Sequence, residues 1–482
     1  MTTIIASPRG NTKIPSSVPY GSRIDWLTSK VDKFCVLPWL NLNTNTDGKI
    51  KLCCNIHLDQ FVKNKEGVPF NLGHHNIEDI WNGYHMNFVR ENTRLNYGVM
   101  ECDGCYKNEK LSGHSPRMGQ NKVWIDNKKE DPVLDRFFED VVTKPAKKQI
   151  MVRSPWQPKP SADHWSIDQL PTSLELRLGN QCNLQCVTCW SVSSSMIHAE
   201  RAEYLDKNLV EGEFAWFKEL WQKERSAVDR TDVHNWFETE TFYNNFKKMA
   251  PKLRRLYTTG GEPTLIKANY KMFQLLLDAE NTSCRVEFTS NMTTWNPSFY
   301  DKLEKFDNVE IQMSVDGVGD IGEYVRFPSN FETVKNNIKK AVSVAATRPG
   351  WTIKCYTVLQ ALNFNQMPLI WEMLNEIAVK YNKKIYWWPI TLTSPSHLGL
   401  ACIKKETRQA FVPELVEAAK KYWDSRAPFF VSPDFDLEAC KGPIENEEYD
   451  QELAERLMTY VKFMDLRRPV KIKGMELFKD IL

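Results

Sequence analysis

The sequence predicts an α/β protein: a partial (β/α)6 barrel of the TIM type, preceded by a small α+β cysteine-rich module and followed by helices. Three observations predict it. Between Leu174 and Ile390, short apolar runs alternate with segments of helical period. Cysteines cluster in two groups, one before and one after Leu174. Beyond Pro395 the pattern is helical. Repeated βα units give a parallel sheet with right-handed crossovers, and ligands bind at the carboxyl ends of its strands.

Composition narrows the function classes. The 482 residues suffice for two or three domains, and 63 Lys plus Arg against 61 Asp plus Glu leave a net charge of +2. So even a balance supplies no global field for nucleic acid or an acidic membrane. Met1 to Arg23 is polar, rich in Pro and Ser, and lacks the apolar core of a signal peptide. No stretch approaches the ~20 apolar residues of a membrane span. A cytoplasmic protein is expected, in which the 12 cysteines serve as metal ligands or free thiols rather than disulfides.

In chain order, residues 1–23 read as a flexible arm and 24–125 as the cysteine-rich module. Within the module, Leu40 to Cys54 alternates about Asp47-Gly48, a two-residue hairpin signal, with Leu40, Leu42, Ile50 and Leu52 on one face. Asn76 can cap a helix with Ile77, Ile80, Trp81, Tyr84 and Phe88 at helical spacing, ending near Gly98. Residues 126–172 mix charge and proline as a linker. The barrel occupies 173–404, with an aromatic-rich insertion of two helices at 191–252 whose rings read as core or as a substrate-facing wall. Strands follow at 285–289, 309–315, 351–359 and 384–390, separated by helices at 268–279, 297–306, 331–344 and 368–381. Residues 405–482 form a helical region, 405–423 and 445–466, broken by a proline-rich loop at Pro428 to Pro433 and expected to cover the barrel's open side. Cys284, Cys355, Cys402 and Cys440 have no metal spacing and read as core or free thiols.

The chemistry concentrates where the first barrel strand ends. Leu176 to Trp190 reads LRLGNQCNLQCVTCW, placing Cys182, Cys186 and Cys189 at C-x3-C-x2-C on a short loop. Such a loop can turn three thiols to one point but offers no fourth ligand. Structural zinc sites take four, so three suggest a cluster or metal with one position open. The alternatives are buried small hydrophobes or half a zinc site. A second segment, Leu253 to Pro263, is a strand ending in Gly260-Gly261-Glu262-Pro263, where glycines admit a ligand close to the backbone and Glu262 offers a carboxylate.

Together these two motifs resemble the radical SAM superfamily. The resemblance implies that the three thiolates hold a 4Fe-4S cluster whose fourth iron chelates S-adenosylmethionine. One electron then splits the sulfonium into methionine and a 5'-deoxyadenosyl radical that takes hydrogen from substrate. It also implies cofactor contacts from Gly260, Gly261, Glu262 and Pro263, from Ser314 and Asp316 after the fourth strand, from Arg326 on the methionine carboxylate, and from Asn291. Thr188 stands where many relatives carry an aromatic. A one-electron donor such as a flavodoxin or ferredoxin is implied as partner.

The N-terminal module resembles the SPASM/twitch module of many such enzymes, through Cys35-x12-Gly48-x4-Cys53, Asn71-Leu72-Gly73, Ile80-Trp81-Asn82 and Cys102-x2-Cys105. That resemblance implies an auxiliary 4Fe-4S cluster on Cys35, Cys53, Cys102 and Cys105. The chain departs from it in having no further cysteine run and in placing the module before the barrel. A four-cysteine zinc site is the alternative. Many relatives with this module modify peptide or protein side chains, so a peptide or protein substrate is expected. A small-molecule substrate, or a non-catalytic iron-sulfur or zinc scaffold, are the competing readings.

Overall fold

The computed structural model describes residues 33–57, 60–94, 97–112, 115–126, 152–153, 169–229, 235–423, 428, 430–431 and 437–472. The expected arm and most of the expected linker lie outside the described residues. The chain divides into two compact units, residues 1–175 with 239–253, and residues 176–238 with 254–482.

In the first unit a short helix, Leu37–Leu40, leads into β1 (Asn41–Thr44). The hairpin signal at Asp47-Gly48 is realised as a wider loop. Asn45 N donates to Lys49 O at 2.8 Å and Gly48 N to Asn45 O at 3.0 Å, with Gly48 at φ +79°. β2 (Ile50–Lys51) then pairs antiparallel with β1, Thr44 opposite Ile50. Leu42, Ile50 and Leu52 are buried as the alternation requires, while Leu40 is buried from the helix instead of the strand.

The helix expected after Asn76 divides into Ile77–Trp81 and Tyr84–Arg94. The chain folds back so tightly at Gly83 that a Cβ there would lie 2.6 Å from Asp79 O. Buried Arg90 closes the first piece, donating to Trp81 O at 2.6 Å and Pro38 O at 2.8 Å. β3 (Gly98–Val99) pairs parallel with β4 (Val152–Arg153), and β1 pairs parallel with the start of β5 (Ser173–Arg177), Asn41 opposite Ser173.

The helix Glu240–Met249 belongs to this unit although the sequence assigns it to the insertion. Its buried Asn245 accepts from Ile77 N at 2.9 Å and donates to Leu72 O at 3.1 Å and His75 O at 2.8 Å. Thr239 caps the helix and donates to Gly73 O at 2.8 Å.

The second unit is built on the expected parallel sheet. β6 (Arg255–Thr259), β7 (Arg285–Ser290), β8 (Val309–Ser314), β9 (Trp351–Leu359) and β10 (Ile385–Thr391) follow the predicted alternation to within a residue or two. A further strand, β11 (Phe430–Val431), pairs parallel with β10 where only a proline-rich loop was expected. The order β11-β10-β9-β8-β7-β6-β5 does not close, so the barrel is partial.

Alternate residues give the sheet two faces. Leu256, Val286, Phe288, Ile311, Met313, Ile353 and Trp387 are buried on one, with Phe288 edge-on to Phe299 and Trp387 edge-on to Trp371 of the flanking helices. The other face is polar. A chain of bonds runs from Tyr257 Oη to Thr289 Oγ1 (2.8 Å), on to Gln312 (2.7 Å) and Glu310 (2.8 Å), where Lys354 joins at 2.9 Å.

The insertion supplies two helices to this unit, Ser195–Asp206 and Trp216–Asp229. Phe217, Trp221, Trp236 and Phe237 are buried, so the core reading of the aromatic stripe holds for these rings. The last expected helix, 445–466, is preceded by a separate helix, Glu438–Asn446, that was not expected, and forms over Gln451–Asp465, capped by Asp450. Its Phe463 lies edge-on to Tyr204 and Trp221 of the insertion helices, at 5.2 and 5.5 Å.

Candidate active site

The loop after β5 carries the three cysteines, and its backbone is fixed from several sides. Gln185 N donates to Phe327 O at 2.6 Å and Val187 N to Val325 O at 3.0 Å. Ser194 Oγ donates to Leu184 O at 2.6 Å, and Asn180 Nδ2 to Ser191 O at 3.1 Å. A short loop held at this many points presents its side chains in one arrangement. The sulfurs are near enough to influence one another: a thiolate at Cys189 or Cys182 raises the thiol of Cys186, and one at Cys189 raises Cys182. Burial is the larger cause, pushing Cys182 up to about 11 and Cys186 up to about 12, and raising Cys189. Thiols held protonated this firmly bind metal with proton release.

The Gly-Gly-Glu-Pro turn follows β6 and presses against this loop. Gly260 has φ +123°, and a Cβ on it would lie 2.8 Å from Gly179 O. At Gly261 a Cβ would fall 1.9 Å from Gln181 O. Only glycine permits that approach. Glu262 N donates to Gln181 O at 2.8 Å, completing the seam.

The Glu262 carboxylate is buried and already well supplied with donors. It accepts from Asn291 N (2.7 Å), Ser290 Oγ (2.9 Å), Thr264 Oγ1 (2.7 Å) and Thr264 N (3.3 Å). It thereby ties the ends of β6 and β7 together. Burial raises its pKa in spite of these bonds. Ser290 and Thr264 were not legible as part of this latch, because hydroxyls at strand ends carry no spacing signal. Pro263 opens the short turn that follows, its carbonyl accepting from Asn269 Nδ2 at 2.8 Å.

Asn291 reaches the cysteine loop directly, Nδ2 donating to Asn183 Oδ1 at 2.9 Å. Ser314 ends β8, opposite Tyr356 in register. Asp316 and Arg326, read separately from the sequence, are set on each other at 2.6 Å, while Asp316 Oδ1 accepts from Val358 N at 2.7 Å. The Arg326 guanidinium lowers Cys186 and Cys189, against their burial, so this cation stands beside two of the three thiols. Arg326 Nε has no hydrogen-bond acceptor among the described residues.

In the first unit, Cys35 precedes the Leu37–Leu40 helix, Cys53 follows β2, and Cys102 and Cys105 stand where the helix Asp103–Ser112 begins. The four influence one another electrostatically: Cys35 is raised by Cys105, Cys53 by Cys35 and Cys105, and Cys102 by the other three. Burial pushes Cys35 and Cys53 up to about 12 and raises Cys102 well above the ordinary thiol value. Cys54 is exposed, its neighbour half-buried. The backbone on both sides of Cys35 is held by one helix, Pro116–Asp126. Asn121 bonds Val36 N (2.9 Å) and Phe34 O (3.0 Å), and Arg117 also reaches Phe34 O. Among the described residues no three His, Cys, Asp or Glu side chains are arranged to hold a metal ion, and no helix is long and apolar enough to cross a membrane.

A three-thiol loop at the carboxyl end of a parallel strand, sealed against a Gly-Gly-Glu-Pro turn, defines a radical SAM domain. Residues 176–353 match the family model described as Radical SAM superfamily. It is similar to the sporulation killing factor maturation protein SkfB of Bacillus subtilis (strain 168), at 24% identity over 45% of this chain and 44% of the relative. The chain thus spans less than half the length of that curated relative. Among solved structures it is similar to Streptococcus suis SuiB, with a TM-score of 0.33 and 12% identity over 71% of this chain and 64% of that one. SuiB bound to precursor peptide SuiA gives a TM-score of 0.32 and 9% identity, over 71% and 65% of the two chains.

Proposed function

We propose that this chain cleaves S-adenosylmethionine reductively and abstracts hydrogen from a peptide or protein side chain, with an auxiliary 4Fe-4S cluster in its N-terminal unit. The chemistry of the donor set supports a three-ligand cluster: three thiols on one short loop, Cys182 and Cys186 each raised by a neighbouring thiolate, and a cation beside Cys186 and Cys189. When bound, that cluster and S-adenosylmethionine supply the electron and the 5'-deoxyadenosyl radical. The chain's own part is placement. Cys182, Cys186 and Cys189 would ligate the cluster, and Gly260 and Gly261 let backbone come close. Arg326, with Nε spare, would meet the methionine carboxylate, and Ser314, Asp316, Asn291, Glu262 and Pro263 would frame the rest.

The observation that carries the reading is the Gly261 seam against the cysteine loop, since a scaffold binding metal with thiols alone has no use for it. The electrostatic influence of Cys35, Cys53, Cys102 and Cys105 on one another supports the auxiliary cluster. A coordinatively full cluster there would accept an electron rather than ligate substrate. A flavodoxin or ferredoxin would be the electron donor. The peptide substrate is supported by the similarity to a maturation protein.

The test is anaerobic reconstitution, chemical reduction and assay for 5'-deoxyadenosine. About eight irons per chain are expected, and joint replacement of Cys182, Cys186 and Cys189 by Ala removes half of them together with all product. Product surviving Cys186→Ala refutes the assignment. Deuterium reaching 5'-deoxyadenosine from a labelled small metabolite, and never from peptide, overturns the substrate class.

A further inference from the structure

The cysteine loop is gripped by two buried arginines, one from the insertion and one from near the C-terminus, the latter outside the matched segment. Arg468 Nη2 donates to Gln185 O at 3.0 Å, between Cys182 and Cys186. Its guanidinium lies 4.9 Å from the ring centre of Phe327, whose own carbonyl accepts from Gln185 N. Arg201 Nη2 donates to Cys189 O at 3.1 Å. Each arginine is matched by a glutamate. Glu200 takes Arg468 at 2.9 and 3.1 Å from Nη2 and 3.2 Å from Nε. Glu224 pairs with Arg201 and accepts from Ser191 N (3.1 Å) and Ser191 Oγ (2.8 Å) just past the last cysteine.

All four side chains are buried, between 3 and 8% exposed. Glu200 and Arg201 are neighbours on the helix Ser195–Asp206, so this single helix serves both ion pairs. Stability does not explain the arrangement. Buried ion pairs recover little beyond their desolvation, and here Arg468 Nη1, Arg201 Nε and Glu224 Oε1 have no hydrogen-bond partner among the described residues.

We propose that Arg468–Glu200 and Arg201–Glu224 are positioning pairs that shape the cysteine loop from both sides of Cys186 before it is loaded. The glutamates keep the loop's surroundings neutral, so that its cluster can be held at a low potential. The inference rests on the radical SAM reading for its electrochemical part, while the shaping part concerns the iron-free chain alone. A planar fork that holds a carboxylate and a carbonyl together is something Lys cannot reproduce, which makes Arg→Lys an informative substitution.

Two measurements decide it. In iron-free full-length protein, hydrogen exchange over residues 180–192 should quicken at least tenfold in Arg468→Gln and Arg201→Gln, less in Arg468→Lys, with β7 to β9 unchanged. In loaded protein, the signal that responds to S-adenosylmethionine is titrated. Glu200→Gln and Glu224→Gln each leave an uncompensated arginine and should raise the reduced-to-oxidised ratio at a fixed potential about tenfold, or ~59 mV for one electron. Unchanged loop exchange in both arginine variants overturns the shaping role, and a potential unmoved or lowered in both glutamine variants overturns the electrostatic one. If the wild-type loop takes up no cluster, the radical SAM reading itself fails, and the exchange data still decide the shaping role.

Discussion

At the scale of single residues, the site depends on atoms that are absent as much as on those present. Gly261→Ala would place a methyl 1.9 Å from Gln181 O, a backbone atom that cannot step aside. Overpacking against backbone should exceed the usual ~1–3 kcal/mol, and at about 3 kcal/mol S-adenosylmethionine would bind on the order of a hundredfold more weakly. Isothermal titration of loaded protein, with circular dichroism to confirm an intact fold, checks this. That glycine was legible in the sequence, as were the cysteines, because each belongs to a short motif whose members are neighbours in the chain. Arg468 was not, since its acceptor lies 283 residues away and a lone arginine after a helix reads as a surface charge. The mutual pairing of Asp316 with Arg326 escaped for the same reason: residue type suggests a partner's charge but not which partner.

At the scale of elements, the insertion helices and the last helix share one aromatic cluster, and a histidine sits inside it. His397 is buried, 4.9 Å from the Trp216 ring and 5.2 Å from Tyr460. Burial, helped by Arg201 and Arg456, pushes its pKa down to about 3 from 6.5. The unfolded chain therefore takes up a proton below pH 6.5 that the folded one refuses until about pH 3. Stability contributed by neutral His397 is present above pH 6.5 and is lost as pH falls, about 2 kcal/mol by pH 5. Thermal melts at pH 7.5 and pH 5 should show that loss in the wild type and a shallower one in His397→Phe. Sequence periodicity found the strands and helices around this cluster because those with sustained apolar repeats announce themselves. The two-residue β11, the break at Gly83 and the separate helix Glu438–Asn446 are set by tertiary contacts too brief to leave a period.

At the scale of the whole molecule, the division into units does not follow the order of motifs. The sequence assigns 191–252 to one insertion in the barrel, whereas the chain gives 239–253 to the cysteine-rich unit. The cause is Asn245, which satisfies Ile77 N, Leu72 O and His75 O. Asn245→Ala strands these three groups and should cost about 3 kcal/mol, seen as faster hydrogen exchange over residues 72–80 with β7 to β9 protected as before. No composition shift marks that exchange of segments. It also sets a schedule for biosynthesis. A nascent chain that has just released Cys105 from the ribosome still lacks the strap that steadies residues 72–77. That strap emerges only after the loop of Cys182, Cys186 and Cys189 has been translated. The N-terminal unit therefore completes itself after the loop of Cys182, Cys186 and Cys189 has been translated, and a ribosome stalled before codon 239 would leave neither cysteine group in its final shape, because that loop in turn waits for Gly261, Val325, Phe327 and Arg468.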